Sequence, residues 1–244
     1  MRFTTDDGVT LSGWLIPAGR ETRATVILMH GFGWHRLGEL AAFVPWLAEQ
    51  YHVLQFDFRG HGESGEADIT LGTAERLDVA AAVRLVESRG LGPIALMGVS
   101  MGAAVAIMAA PDLPVAAVVA DAPYADLFNP IANRMRELHY PFPWLGSRLI
   151  VAAAALRSRM RLRAPIERVA QIAPRGLLII GPREDQLIDH DQRLRLYERA
   201  GEPKELYIID GAGHAEAHTL GGDEYEARVL DFLARHLDGA TPSA

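Results

Sequence analysis

Ser100 stands between two glycines, in Gly98-Val99-Ser100-Met101-Gly102, after the apolar run Ile94–Val99 and ahead of "MGAAVAIMAA". A serine hydroxyl is unreactive at neutral pH unless a base takes its proton. The pattern fits a sharp strand-to-helix turn that holds the hydroxyl clear of the backbone, with small neighbours because bulk would collide there. The following helix aims its N-terminus, with about half a positive charge, at whatever the hydroxyl attacks. Gly-x-Ser-x-Gly also arises by chance in a chain with 23 glycines. The apolar run before it and the helix-forming run after it mark this one as a nucleophile.

A nucleophilic serine needs a histidine as base and a carboxylate to fix that histidine's tautomer. "DGAGHAEAH" places His214 in a glycine loop just after the apolar run "ELYIID", and "GPREDQLID" places Glu184 and Asp185 just after "GLLIIG". The chain order is then Ser100, Asp185, His214. The oxyanion formed by attack needs two backbone N–H groups, one of them from the residue after the nucleophile, Met101. His214 and His218, four apart with Glu216 nearby, have a spacing that metal ligands also use. A glycine loop rather than mid-helix begins the pair and no third ligand is indicated, so neither a metal nor a cofactor is expected.

Continuous apolar runs must position these loops. Ala24–Gly31, Tyr51–Gly60, Gly92–Ser100, Pro114–Pro123, Gly176–Gly181 and Glu205–His214 each end in Gly, His, Asp or a small turn residue. Such runs read as strands buried on both faces of a parallel sheet. Between them, Thr73–Arg89 carries Val79, Ala82, Val83 and Val86 on one helical stripe. Alternating strands and helices imply an α/β fold with an open, mostly parallel sheet, in which sites form beyond the carboxyl ends of the strands. "HRLGE", His35–Glu39, is expected to open the first helix.

With these motifs in order, "HGFG" at His30–Gly33, "DFRGHGESG" at Asp57–Gly65, "GVSMG", "GPREDQLI" and "GAGH", the chain resembles the α/β-hydrolase family. Within it, the chain is similar to the compact serine hydrolases of the Bem46-like group. The resemblance runs from "DGVTLSGWLIP" to the C-terminal helix. It implies the α/β-hydrolase fold and assigns the second oxyanion N–H to Phe32. At the acid the chain departs from the family's Gly-x-x-Asp, which would select Glu184. The acid-x-aliphatic-aliphatic pattern selects Asp185, and some members carry the acid where Asp121 stands. Asp185 is favoured, with Glu184 and Asp121 as alternatives. His30 and His61 read as structural hydrogen-bonding groups.

The stretch Tyr124–Ile172 is longer than one crossover helix needs and is expected to be a cap inserted over Ser100, leaving 1–123 and 173–238 as the core and 239–244 as a disordered tail. Leu149–Arg163 looks helical, and "HYPFPWLG" is aromatic and proline-punctuated. Phe128, Tyr140, Phe142 and Trp144 are the candidate substrate contacts, since small-molecule sites are mostly apolar. Such walls suit small to medium acyl or aryl esters, cleaved through an acyl-enzyme. The stretch also holds Arg134, Arg136, Arg148, Arg157, Arg159, Arg161, Arg163 and Arg168 against Asp126, Glu137 and Glu167, on a chain of net charge −7. That excess leaves open a thioesterase or lysophospholipase acting on anionic or lipid substrates. A non-catalytic binding protein on the same fold is the remaining alternative.

Bulk properties narrow the field. Acidic excess disfavours nucleic acid as a partner, which needs clustered Lys and Arg. The absence of cysteine removes disulfides, thiolate zinc sites and a cysteine nucleophile together. The longest apolar run, Leu149–Leu156, is far below the ~18 residues of a membrane span, and the start "MRFTTDDGVT" lacks a basic and apolar leader. A small-molecule ester as partner and a cytoplasmic location are the expectations. The oligomeric state has no sequence signal.

Overall fold

The chain opens with two strands that a search for continuous apolar runs passes over, β1 (Arg2–Thr4) and β2 (Thr10–Ile16). In the computed structural model, which describes residues 1–238, they form an antiparallel hairpin at one sheet edge. The strands expected from the apolar runs follow: β3 (Thr25–Met29), β4 (His52–Phe56), β5 (Ile94–Val99), β6 (Ala117–Asp121), β7 (Gly176–Pro182) and β8 (Lys204–Ile209). The sheet order is β1-β2-β4-β3-β5-β6-β7-β8. Every pairing from β4 to β8 is parallel. Residues 239–244 lie outside the described residues.

Register explains why distant loops meet. Val99 pairs with Asp121, Asp121 with Ile180, and Pro182 with Ile209, so β5, β6, β7 and β8 end along one edge. The loops that begin at His30, Ser100, Ala122, Arg183 and Asp210 all leave from it.

Helices cover both faces, as a parallel sheet requires. On one side lie α2 (Glu75–Ser88), α3 (Met101–Ala109) and α6 (His190–Arg199). Val79, Ala82, Val83 and Val86 form the buried stripe of α2, and every residue of α3 is buried. On the other side, α1 (Val44–Gln50) and α7 (Ala217–Leu237) pack Trp46, Leu47, Val229 and Phe232 on the sheet. Of His35–Glu39 only Glu39 is helical, opening a 3-10 turn, and His35–Gly38 form the loop before it. The Arg36 N–H donates to Asp57 Oδ1 (2.7 Å) and its guanidinium pairs with Asp57 and Glu63, which pins the segment as a loop. A 3-10 turn at Glu39–Ala42 then leads into α1.

Between β6 and β7 stand α4 (Phe128–Glu137) and α5 (Pro143–Ser158), packed against each other. Asp126 Oδ1 accepts the N–H groups of Phe128 and Asn129, both at 3.0 Å, and so caps α4. Helix α5 starts six residues before the expected Leu149 because Pro143 occupies its first position, where proline is pre-organised for a helix. It stops at Arg159, whose φ of +53° leaves the helical region.

Candidate active site

Ser100 has φ +54° and ψ −113°, a conformation sparsely populated for a side chain-bearing residue. The surroundings enforce it. The Ser100 N–H donates to Asp121 O (2.8 Å) and its carbonyl accepts from the Ala104 N–H (3.0 Å). A Cβ on Gly98 would strike the Gly102 backbone, and one on Gly102 would strike the Met29 carbonyl, so the turn admits only glycine on either side. Met101 is the first residue of α3, and its N–H is among those a helix leaves without an intrahelical partner. Gly31, Phe32, Ser100 and Met101 together line one cavity.

The loops after β7 and β8 deliver the other two groups. His214 Nε2 lies 3.0 Å from Ser100 Oγ, and His214 Nδ1 lies 3.0 Å from Asp185 Oδ2. A carboxylate only accepts, so Nδ1 carries the hydrogen and the Nε2 lone pair faces the serine hydroxyl. Residues 114 positions apart in the chain are thereby joined in one hydrogen-bonded line. Burial would push the Asp185 carboxyl up. The hydrogen bond and charge of His214, the Ile188 N–H and the Arg193 guanidinium outweigh it and hold the carboxyl below its ordinary value.

The alternative acids are turned elsewhere. Glu184 is exposed and its Oε2 accepts from the Gly211 N–H at 2.6 Å, which ties the two loops together. Asp121 is buried at the end of β6, where Oδ2 accepts from Tyr225 Oη at 2.8 Å. His218 Nε2 bonds Glu226 Oε1 (2.9 Å) within α7, and among the described residues no group of three His, Asp or Glu could hold a metal.

His30 and His61 buttress the loop that carries Phe32. His30 Nε2 accepts from the Phe58 N–H (3.0 Å) while Nδ1–H donates to Gly31 O (2.7 Å). Burial pushes the His30 pKa down to about 4, so the ring is neutral at pH 7. His61 Nε2 accepts from the Gly33 N–H (3.3 Å), and its Nδ1–H donates to Arg59 O (2.9 Å).

The cavity beside Ser100 measures about 740 Å³ and is mostly apolar. Its walls come from the body through Phe32, Trp34, Ile69, Leu71 and Tyr124, and from α4–α5 through Ile131, Met135, Ile150, Val151 and Ala154. Of the aromatic residues singled out from sequence, Tyr140 lines it; Phe128, Phe142 and Trp144 lie outside its lining. Phe142 sits in the left-handed region at φ +51° just ahead of α5 and is 70% exposed. Arg148 covers Phe128 and Trp144, at 5.2 and 5.8 Å from the ring centroids. Sequence reasoning missed Trp34, which sits on an irregular loop, and Arg193, which hides in a charged helix. A second, more polar cavity of about 550 Å³ adjoins the first at Arg134, Leu187 and His214.

Comparison with known proteins agrees with this architecture. A family model described as the alpha/beta hydrolase family matches residues 26–231. The uncharacterized protein YfhR of Escherichia coli K12 is 29% identical over 98% of this chain and 81% of its own sequence. The polyketide transferase GrgF of a Penicillium species is 28% identical over 97% of this chain and 96% of its own. Among solved structures, the Pyrococcus furiosus esterase Pf2001 superposes with a TM-score of 0.82 at 31% identity, covering 97% of this chain and 90% of that one. No helix among the described residues is long and apolar enough to cross a membrane. With the sequence match spanning most of the sheet and an esterase sharing the fold almost end to end, the chain belongs to the alpha/beta hydrolase family.

Proposed function

We propose that this protein is a serine hydrolase that cleaves carboxylic esters of small to medium acyl or aryl groups through an acyl-enzyme. The observation that carries the reading is the line Ser100–His214–Asp185, with both links at 3.0 Å, opening into an apolar cavity of about 740 Å³. In this scheme His214 Nε2 takes the Ser100 proton as Oγ attacks the ester carbonyl, and Asp185 stabilises the imidazolium. The N–H groups of Phe32 and Met101 receive the oxyanion. His214 then protonates the departing alcohol, and water, activated by the same base, releases the acid. The β6–β7 segment, residues 124–172, serves as the cap that shapes the acyl site and keeps bulk water from it.

Fluorophosphonate labelling with peptide mapping, run beside p-nitrophenyl ester hydrolysis, tests the scheme. Labelling of Ser100 with loss of turnover supports it. Labelling elsewhere, or no labelling of folded protein, overturns it in favour of a binding role.

One observation favours a second substrate class. Arg134 lies on the wall of the apolar cavity, paired with Glu137 at 2.6 Å, and also borders the polar cavity, which Glu184 and Glu216 line as well. An anionic acyl or thioester substrate would compete with Glu137 for its guanidinium. Such a substrate loses kcat/KM as salt rises, whereas a neutral ester does not.

A further inference from the structure

Arg193 has no exposed surface, on a helix whose Arg195 and Arg199 reach solvent. A buried guanidinium is costly unless it is paired and hydrogen-bonded. Its Nη2 donates to Pro182 O (2.7 Å), and Nη1 donates to Ile188 O (3.2 Å) and to Asp185 Oδ2 (3.1 Å). These carbonyls stand at the end of β7 and at the far side of the loop that carries Asp185. One side chain therefore clamps the whole loop. Gly181 makes room for it, since a Cβ there would lie 2.6 Å from Arg193 Cδ and 2.7 Å from Nε.

The carboxylate is saturated. Oδ1 accepts from the Leu187 and Ile188 N–H groups, both at 2.9 Å, and Oδ2 accepts from Arg193 and from His214 Nδ1. A carboxylate offers about four acceptor sites, and these partners fill them. Arg193 and His214 share one oxygen, and that sharing has a chemical consequence. When His214 holds the serine proton, two cations draw on the same oxygen, so Arg193 weakens the hold of Asp185 on that proton.

Building on the proposed Ser100–His214–Asp185 mechanism, the geometry points to Arg193 as a positioning residue that fixes the Asp185 carboxylate and limits how strongly it stabilises the His214 imidazolium. Other charges face the same cluster. Asp121 at the end of β6, bonded to Tyr225 of α7, is buried. Glu184 from the β7 loop, Asp191 from α6, Glu216 from the β8 loop, and Arg134 and Glu137 from α4 are exposed, and His190 of α6 is half-buried. Salt screens the exposed ones, whereas Arg193 acts from the interior at a shared atom.

The test compares pH profiles of kcat/KM for wild type, Arg193→Met, Arg193→Lys and Gly181→Ala, each normalised to the fraction that a fluorophosphonate titrates, with Ser100→Ala in parallel. Removing the cation in Arg193→Met should move the acid limb up by about one pH unit and lower kcat roughly 10- to 100-fold. Arg193→Lys keeps the charge without the fork, so the limb should stay near wild type while kcat falls. Gly181→Ala displaces the guanidinium without changing any charge, and should move the limb in the same direction as Arg193→Met by a smaller amount. It carries the test if Arg193→Met does not fold. An inactive Ser100→Ala with unmoved limbs in both Arg193→Met and Gly181→Ala overturns the role of Arg193 alone. A Ser100→Ala that retains turnover overturns the serine mechanism and this assignment with it.

Discussion

At the corner where β5, β7 and β8 end, the side chains of Asp185 and Arg193 have no exposure, whereas on α5 Leu149 is 61% and Leu156 83% exposed. The corner is polar and mostly buried, with each Asp185 oxygen accepting two hydrogen bonds; α4 and α5 turn apolar residues to the cavity and leave others, with several arginines, open to solvent. Closely hydrogen-bonded groups suit proton transfer, in which misplacement by an ångström is costly. Loosely embedded apolar walls suit substrates that differ by a few methylenes. The contrast separates two kinds of lesion. Substitutions at the corner should remove turnover for every ester alike, and substitutions in α4–α5 should redistribute turnover among esters.

The largest effect expected is that of Ser100→Ala, which should lower kcat by roughly 10⁴-fold or more for all acyl lengths while leaving the thermal midpoint near wild type. A residual turnover of one tenth would place the nucleophile elsewhere. Next, Asp185→Asn should cost roughly 10³- to 10⁴-fold, against less than about tenfold for Glu184→Gln or Asp121→Asn, because Asp185 alone touches His214. A reversed ranking would reassign the acid.

The third expectation concerns acid stability. His30 binds a proton near 6.5 in the unfolded chain and only near 4 when folded. The stability gained by keeping it neutral is therefore complete above about pH 6.5 and is lost as pH falls towards 4, by roughly 3 kcal/mol in all. Asp185 has the opposite origin, a lowered carboxyl, and gives up its contribution only below the ordinary carboxylate range. Because Asp78, whose burial pushes its carboxyl up to about 6, gains stability over the same interval, denaturant midpoints between pH 7 and 4.5 should fall more, or rise less, in wild type than in His30→Gln. An equal slope in both would place the acid lability in another group.

Smaller effects belong to the helices. kcat/KM should rise with acyl length to an optimum at roughly four to eight carbons, each buried methylene adding up to ~0.8 kcal/mol. Ala154→Trp, on the cavity wall, should cost an octanoyl ester roughly 10- to 100-fold and an acetyl ester little. Equal losses for both esters would break the division between corner and helices, and a steady rise through sixteen carbons would point to an open lipid groove.

Legibility follows the same division. The inner parallel strands, buried on both faces, announce themselves as apolar runs, whereas β2 has Ser12 and Gly13 in the middle of its apolar residues, so it stays hidden. Ser100 and His214 stand in glycine-marked turns whose spacing is local. Choosing between Glu184 and Asp185 depends on which of two adjacent side chains turns inward, which Arg193 and the loop amides decide through space. In "HDQRLRLYER" one buried arginine cannot be told from its exposed neighbours. Aromatic residue type likewise does not report the direction of a side chain, and so Tyr140 reaches the cavity while Trp144 meets Arg148.

The sheet order also sets a schedule. His214 follows β8, the strand at one edge of the sheet, and lies 114 residues after Ser100. At about 5–20 residues per second of synthesis, roughly 6–23 s separate the emergence of Ser100 from that of His214. On the proposed mechanism, Ser100 is an inert alcohol during that interval, and the growing chain would carry no reactive hydroxyl until β8 and the loop after it have docked.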